Sequence, residues 1–176
     1  MAMTLITTNT FSGASSSTFT SSIDSTYKLY IFKLIDIHTN TDDAYFGFQA
    51  KTNGTYNTST TSTFFRAAHN EDDDSATLTY VTAMDQANGT ALQNLTDLSG
   101  SDADASAAGE LHLFNPSNST YVKHYYATLN SYYGGTWGSY NAYIGGQFNT
   151  TSAINGVEFK ADTGTITGTI KMYGVG

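Results

Sequence analysis

Aromatic residues cluster with glycines in the segment 132–140, which contains Tyr132, Tyr133, Trp137 and Tyr140. Aromatic side chains on a glycine-flanked loop offer rigid apolar faces with a polar group at one end. Sugars stack on such faces, and protein partners bury them. The alternative is structural, with Trp137 filling the end of a β-sandwich. We therefore predict a binding site for a glycan or a protein partner at these four residues, or packing of Trp137 inside the fold.

An acidic loop and four histidines are the residues that could ligate a metal ion. Within the loop 69–74, Asp72 and Asp74 would offer carboxylate oxygens to Ca²⁺. The loop lacks the glycine and the distal glutamate of an EF-hand, and runs of acidic residues are usually solvated. The histidines have no dedicated ligand spacing, and the chain has no cysteine. We therefore predict no metal site and no cofactor, with Asp72 and Asp74 as the alternative Ca²⁺ ligands.

Glu110 and Glu158 are the carboxylates that could act as a pair in glycoside hydrolysis, because each falls within a predicted strand. Their spacing alone leaves this possibility open, although charged residues on strands most often face solvent. The sequence has no cysteine nucleophile, no phosphate-binding loop and no nucleophile elbow or Ser/His/Asp signature. We therefore predict a protein that is not an enzyme.

The charge and the hydropathy pattern exclude two classes of partner. The formal net charge is −8, with only seven Lys and Arg residues among 176. Such a chain cannot neutralise a row of nucleic-acid phosphates. No apolar run approaches the roughly 18 residues that are needed to span a bilayer. We therefore predict neither nucleic-acid binding nor membrane insertion.

The elements that must position these residues are β-strands. Aromatic residues make up 14% of the chain and charged residues only 12%, and the sequence is rich in threonine. β-Branched and aromatic side chains fit the pleated surface of a sheet. Eight or nine strands at short, even spacing predict an all-β, antiparallel, two-sheet sandwich with one long loop around 83–109. The clearest predicted strands cover residues 27–37, 44–50, 77–82, 110–114, 121–129, 140–148, 156–161 and 166–173.

Two local predictions complete the organisation of the chain. Residues 1–26 are rich in serine and threonine, and we predict an N-terminal arm with at most one short strand ahead of a sandwich domain at 27–176. Asn53-Gly54 predicts a hairpin turn between the strand at 44–50 and a Thr-rich strand that ends at 64–66, because both turn residues tolerate positive φ.

Three stretches of the chain, at 22–37, 109–124 and 148–174, resemble a family of small virion proteins from marine and freshwater tailed phages, including cyanophages. The closing residues 154–174 are also similar to the last two strands of jelly-roll modules in phage fibres and spikes. The resemblance covers nearly the whole chain. It implies a jelly-roll sandwich and a structural role on the particle, with no catalytic residues.

The function that follows from this resemblance is that of an oligomeric capsid decoration or cement protein. Such a protein would be made in the host cytoplasm and assembled on the exterior of the virion. We expect a homotrimer whose partners are phage capsid or tail proteins, because a trimer would bury the excess of tyrosine and phenylalanine. The alternative is a tail- or fibre-associated module that binds a receptor or carbohydrate, such as a host surface glycan.

Overall fold

The computed structural model describes residues 2–52, 54–97, 99–133 and 138–176. Among these residues there are thirteen β-strands and no helix, which confirms the all-β prediction. The described residues therefore form no helix whose length and apolarity would allow it to cross a membrane. The strands are β1 (Met3–Ala14), β2 (Ser17–Phe19), β3 (Leu29–Thr39), β4 (Phe46–Lys51), β5 (Thr60–His69), β6 (Ala76–Tyr80), β7 (Ala87–Gly89), β8 (Gln93–Asn94), β9 (Ala107–Phe114), β10 (Lys123–Tyr132), β11 (Ser139–Phe148), β12 (Gly156–Ala161) and β13 (Ile166–Val175).

The strands form two antiparallel sheets of unequal size. The nine-stranded sheet has the order β1-β13-β3-β9-β10-β11-β5-β6, with β7 paired to β5, and the four-stranded sheet has the order β2-β12-β4-β8. Eight of these strands form a jelly roll: β1, β2, β3, β4, β8, β9, β12 and β13. Numbered one to eight along the chain, they run 1-8-3-6 in one sheet and 2-7-4-5 in the other. The predicted jelly-roll sandwich is therefore confirmed.

Five further strands extend the nine-stranded sheet beyond β9, so the predicted count of eight or nine strands is too low. β5, β6 and β7 are inserted between the jelly-roll strands β4 and β8, and β10 and β11 are inserted between β9 and β12. We call this five-stranded extension the wing. We call the side of each sheet that faces the other sheet its inner face, and the opposite side its outer face.

The prediction of at most one short strand near the N-terminus is wrong. β1 is twelve residues long and pairs with β13, and β2 pairs with β12. The polar composition hid β1, because all its side chains are exposed or half-buried and its sequence therefore lacks the apolar alternation of a strand with one buried face. Only Ile6 and Phe11 of β1 pack against the hydrophobic core. Residues 1–26 thus add one strand to each sheet of the sandwich.

The segment predicted as one long loop around 83–109 contains two short strands and the start of β9. β8 pairs with β4 and β7 pairs with β5, so the segment connects the jelly roll to the wing. The side chain of Gln93, in β8, is buried. Its amide nitrogen donates hydrogen bonds to the carbonyl oxygens of Met84 and Asn94, each at 3.1 Å. These hydrogen bonds satisfy backbone carbonyl groups in a segment whose composition is typical of a loop.

The predicted Asn53-Gly54 turn does not close a hairpin. Gly54 has a φ of 97° and a bridge joins Thr52 to Thr55, so the chain does reverse there, although Asn53 itself lies outside the described residues. However, β4 belongs to the four-stranded sheet and β5 to the nine-stranded sheet. The turn therefore carries the chain from the jelly roll into the wing.

The core between the two sheets is built around Phe159 of β12. Its ring centroid lies 5.3 Å from that of Phe32 in the opposite sheet. It also lies 6.1 Å from Phe46 and 6.2 Å from Phe48, both on β4, and 6.1 Å from Phe19 on β2. All five rings are buried. The alternation predicted for 44–50 is confirmed, because Phe46 and Phe48 both point into this core.

Replacing Phe159 with alanine tests the role of this ring. We expect Phe159→Ala to lower the free energy of unfolding by about 3–5 kcal/mol, because it leaves a cavity bordered by four aromatic rings. Urea denaturation measures this change. Lys160→Ala on the outer face of the same strand is the matched control and should cost less than about 1 kcal/mol. Equal effects of the two variants would contradict the central position of Phe159.

Candidate functional site

The structure places Tyr132 and Tyr140, two of the four predicted site residues, on opposite faces of one sheet. In the pairing of β10 with β11, Tyr132 is opposite Ser139, and Tyr140 is opposite Ser131. Because side chains alternate between the faces of a strand, Tyr132 lies on the outer face of the sheet and Tyr140 on the inner face. Tyr140 is only 7% exposed. Trp137 lies outside the described residues.

Tyr133 and Tyr140 are both engaged in contacts within the protein. The Tyr133 hydroxyl donates a hydrogen bond of 2.7 Å to a carboxylate oxygen of Asp43, and this bond is the main reason that the pKa of Tyr133 is raised to about 12. The guanidinium of Arg66 lies 5.3 Å from the centroid of the Tyr140 ring and also pairs with the buried carboxylate of Asp97. These contacts tie the 132–140 region to the rest of the fold.

Asp72 and Asp74 lie in the exposed turn between β5 and β6. The side chain of Asn70 organises this turn: its amide nitrogen donates to the Asp74 carboxylate, and its oxygen accepts from the backbone N–H of Ser75 at 3.0 Å. His69 lies 3.2 Å from the Asp73 carboxylate. Across the described ranges, no group of three or more His, Asp or Glu residues is arranged to hold a metal ion.

Glu110 and Glu158 do not form a catalytic pair. Glu110 is on the outer face of the nine-stranded sheet and pairs with Lys33. Glu158 is on the outer face of the four-stranded sheet, 3.0 Å from the ammonium of Lys160. The two carboxylates thus point away from the sandwich in opposite directions and cannot flank one glycosidic bond.

A row of stacked rings lies on the outer face where β9 meets the wing. His112 is opposite Tyr126 in the strand pairing, and the two rings are nearly parallel with centroids 4.4 Å apart. One His112 nitrogen lies 2.9 Å from the Glu110 carboxylate, which also pairs with Lys33. The pKa of Glu110 lies below its usual value, mainly because Lys33 donates a hydrogen bond to the carboxylate. This network holds the His112 ring against one side of Tyr126.

A shallow trough of about 340 Å³ adjoins this row, on the outer face of β10, β11 and β5. Gly145 lies in its centre, because it is opposite Tyr126 on one side and Thr63 on the other. A methyl group built on Gly145 would meet only the Thr63 hydroxyl, at 3.8 Å, so the space above Gly145 is open. The trough is lined by Thr61, Ser62, Thr63, His124, Gly145, Gly146 and Gln147.

The floor of the trough rests on a buried polar network at the inner face of the wing. The hydroxyls of Tyr125 and Thr60 are 2.8 Å apart, and the Ser62 hydroxyl donates to the Gln93 side-chain oxygen at 2.6 Å. Tyr125 also donates to that oxygen, at 3.3 Å. Burial raises the pKa of Tyr125 to about 12, so its hydroxyl stays protonated at neutral pH. The ring of Tyr125 fills the space beneath Gly146, where a side chain would collide with it.

The prediction of a site at 132–140 overlooked the trough, although the sequence contained two signals for it. Strict alternation along 121–129 places His124 and Tyr126 on the same face. The pair Gly145-Gly146 inside a predicted strand is unusual, and glycine within a strand often marks a close approach of another group. What the sequence could not show was which strands are neighbours, and therefore that Tyr126 is opposite Gly145.

The chain matches no protein-family model, and no curated protein or solved structure is significantly similar to it.

Lys123 is a buried charge on the inner face of β10. The residue is 1% exposed, and its ammonium donates one long hydrogen bond, of 3.3 Å, to the carbonyl oxygen of Thr150. No carboxylate lies within salt-bridge distance among the described residues. Burial therefore lowers the pKa of Lys123, because the charged form is poorly solvated there.

Replacing Lys123 with methionine should stabilise the protein. Below its lowered pKa in the folded protein, Lys123 is charged in both the folded and the unfolded chain, so the native state bears the cost of desolvating the ammonium. This cost declines as the pH rises towards the unfolded pKa of about 10.5, because the folded protein can then lose the proton. We expect Lys123→Met to raise the free energy of unfolding by about 1–2 kcal/mol at pH 7 and by less at pH 10.

Chemical denaturation at both pH values measures this difference. Lys171→Met, on the outer face of β13, is the control and should show no such dependence on pH. A Lys123→Met variant that is less stable than the parent at pH 7, or whose gain is the same at both pH values, would contradict the prediction.

Proposed function

We propose that this protein is a non-enzymatic structural protein on the exterior of a phage particle, most simply a capsid decoration or cement subunit. It attaches through the free edge of β1, onto which a strand of a capsid or tail protein is added. The observation that carries the proposal is the nature of this edge. The resemblance of residues 22–37, 109–124 and 148–174 to small phage virion proteins supplies the setting.

Several properties of β1 suit it to strand addition. Among the described residues β1 pairs only with β13, so one side of its backbone is open. The twelve residues contain no charged side chain and no proline, which are two of the usual means of blocking an exposed edge. β1 has register shifts at Leu5/Thr7 and Phe11/Ala14, and its pairing with β13 is regular between them. Met3 and Leu5 are each 51% exposed and provide apolar contact area beside the open backbone. Main-chain hydrogen bonds would give affinity, and pockets for these side chains would give specificity.

The opposite edge of the same sheet is less suited to an added strand. β6 has only five residues, and the acidic turn with Glu71, Asp72, Asp73 and Asp74 precedes it. Short length and nearby charge both discourage pairing with another chain. The contrast between the two edges favours attachment through β1.

A non-enzymatic role agrees with the way the candidate catalytic groups are used. Glu110 and Glu158 each pair with a lysine on opposite outer faces, and Arg66 pairs with Asp97. The Glu110 and Arg66 pairs join different segments of the fold, whereas the Glu158 pair lies within β12. The homotrimer expected from the resemblance stays a prediction, and light scattering of the purified protein tests it directly.

The second candidate is a tail- or fibre-associated module that binds a receptor or carbohydrate. The separation of Tyr132 and Tyr140 onto opposite faces of the sheet counts against a site at 132–140. A module of this kind would need another ligand surface. Copy number separates the two candidates, because decoration requires many copies on each particle whereas a tail module requires few.

Quantitative mass spectrometry of purified particles tests the proposal. We expect copies to be counted in the hundreds against the major capsid protein. Leu5→Lys should strongly reduce this occupancy, because it places a charge beside the open edge of β1. Leu78→Lys is the matched control on β6, where Leu78 is 76% exposed, and should leave occupancy unchanged. Absence of the protein from particles, or equal occupancy of the two variants, would contradict the proposal.

A further inference from the structure

We propose that the trough on the outer face of the wing binds an uncharged saccharide. The site consists of the trough, which is lined by Gly145, Thr63, His124 and Gln147, and the neighbouring ring of Tyr126, which is opposite Gly145. These residues lie on three strands that do not belong to the jelly roll. The site lies apart from β1, and the inference does not depend on attachment through that strand. The trough is shallow, with a volume of about 340 Å³, so it would contact one face of a ligand and leave the other face in solvent.

The aromatic ring beside the trough is that of Tyr126. Two rings of β9 contact it on one side, His112 at a centroid distance of 4.4 Å and Phe114 at 5.7 Å. On the other side, the residue directly opposite Tyr126 is Gly145, which has no side chain to cover the ring. Tyr126 is 44% exposed. A tyrosine held on one side and open on the other offers a fixed apolar surface with a polar hydroxyl at its end.

The remainder of the trough is polar and uncharged. Among the described residues that line it, none is Asp, Glu, Lys or Arg. The Thr63 hydroxyl donates to the carbonyl oxygen of Gly145, so it can still accept a hydrogen bond from a ligand. The imidazole of His124 has no hydrogen-bond partner in the part of the chain that the structure describes. Gln147 adds an amide, which can both donate and accept.

The aromatic ring and the uncharged polar groups together determine which class of ligand the trough can bind. A sugar ring has an apolar face of C–H groups and a rim of hydroxyls, which match the free side of Tyr126 and the polar groups of Thr63, His124 and Gln147. A phosphate, sulfate or carboxylate would need a cation, and no Lys or Arg is among the described residues that line the trough. A neutral saccharide therefore fits the trough better than an acidic one.

The site is held in place before any ligand binds. Below the floor, the Tyr125 ring packs against Gly146, and its hydroxyl is fixed by Thr60 and Gln93. The Lys33, Glu110 and His112 network holds the other side of the Tyr126 ring. A preformed surface reduces the entropy that binding must overcome.

The test is an array of neutral and acidic oligosaccharides, followed by titration of the best neutral one by saturation-transfer NMR. We expect the parent protein to bind neutral oligosaccharides. Gly145→Val should weaken binding by about tenfold or more by filling the trough, and it should fold normally because the space above Gly145 is open. Tyr126→Ala should weaken binding to a similar extent. Tyr121→Ala removes an exposed tyrosine outside the trough and is the matched control.

Each outcome of this test supports or overturns the saccharide site. Binding to neutral sugars that Gly145→Val abolishes and Tyr121→Ala leaves intact supports the site. Binding restricted to acidic sugars, binding that Gly145→Val leaves unchanged, or no binding to any neutral oligosaccharide at millimolar concentration overturns it. Particle occupancy is measured separately with Leu5→Lys, so failure of the saccharide site and failure of attachment through β1 give different results.

Discussion

The contact of Phe159 with the rings around it is the interaction on which the rest of the structure depends. Phe159 is on the central pair of the smaller sheet and meets Phe32 of the larger one, so it sets the packing of the two sheets. A four-stranded sheet cannot cover nine strands. Beyond the aromatic core, the inner face of the wing is closed instead by the segment that carries β7 and β8. There the buried Gln93 replaces apolar packing with hydrogen bonds to Ser62 and Tyr125.

The jelly roll and the wing contribute different parts of the protein. The eight jelly-roll strands supply most of the aromatic core and, in β1, an uncharged open edge for assembly. The two insertions build the wing, whose outer face displays rings and the glycine-floored trough instead of a uniformly polar surface. Function on such a scaffold is decided by the site and not by the fold. An attachment edge and a saccharide site can therefore coexist in one small protein without sharing residues.

Much of the fold could be predicted from hydrophobic alternation, and the failures have physical causes. The strand at 44–50 alternates cleanly because one face is buried, whereas β1 has no buried face and therefore no such alternation. Asn53-Gly54 predicted a turn correctly but could not show that the flanking strands separate into different sheets. The placement of the candidate site residues could not be predicted for a related reason. Tyr132 and Tyr140 are close in sequence, yet strand pairing sends them to opposite faces, while it places Tyr126 opposite Gly145.

Amide hydrogen exchange, compared between the free protein and the protein on purified particles, tests the central claim of attachment through β1 most directly. The backbone N–H groups of β1 that point away from β13 pair with no other strand among the described residues, so they should exchange fast. We predict that the backbone N–H groups between Met3 and Thr8 become protected from exchange on the particle, while exchange in β6 stays unchanged. Unchanged exchange in β1, with new protection at β6 or elsewhere, would contradict it.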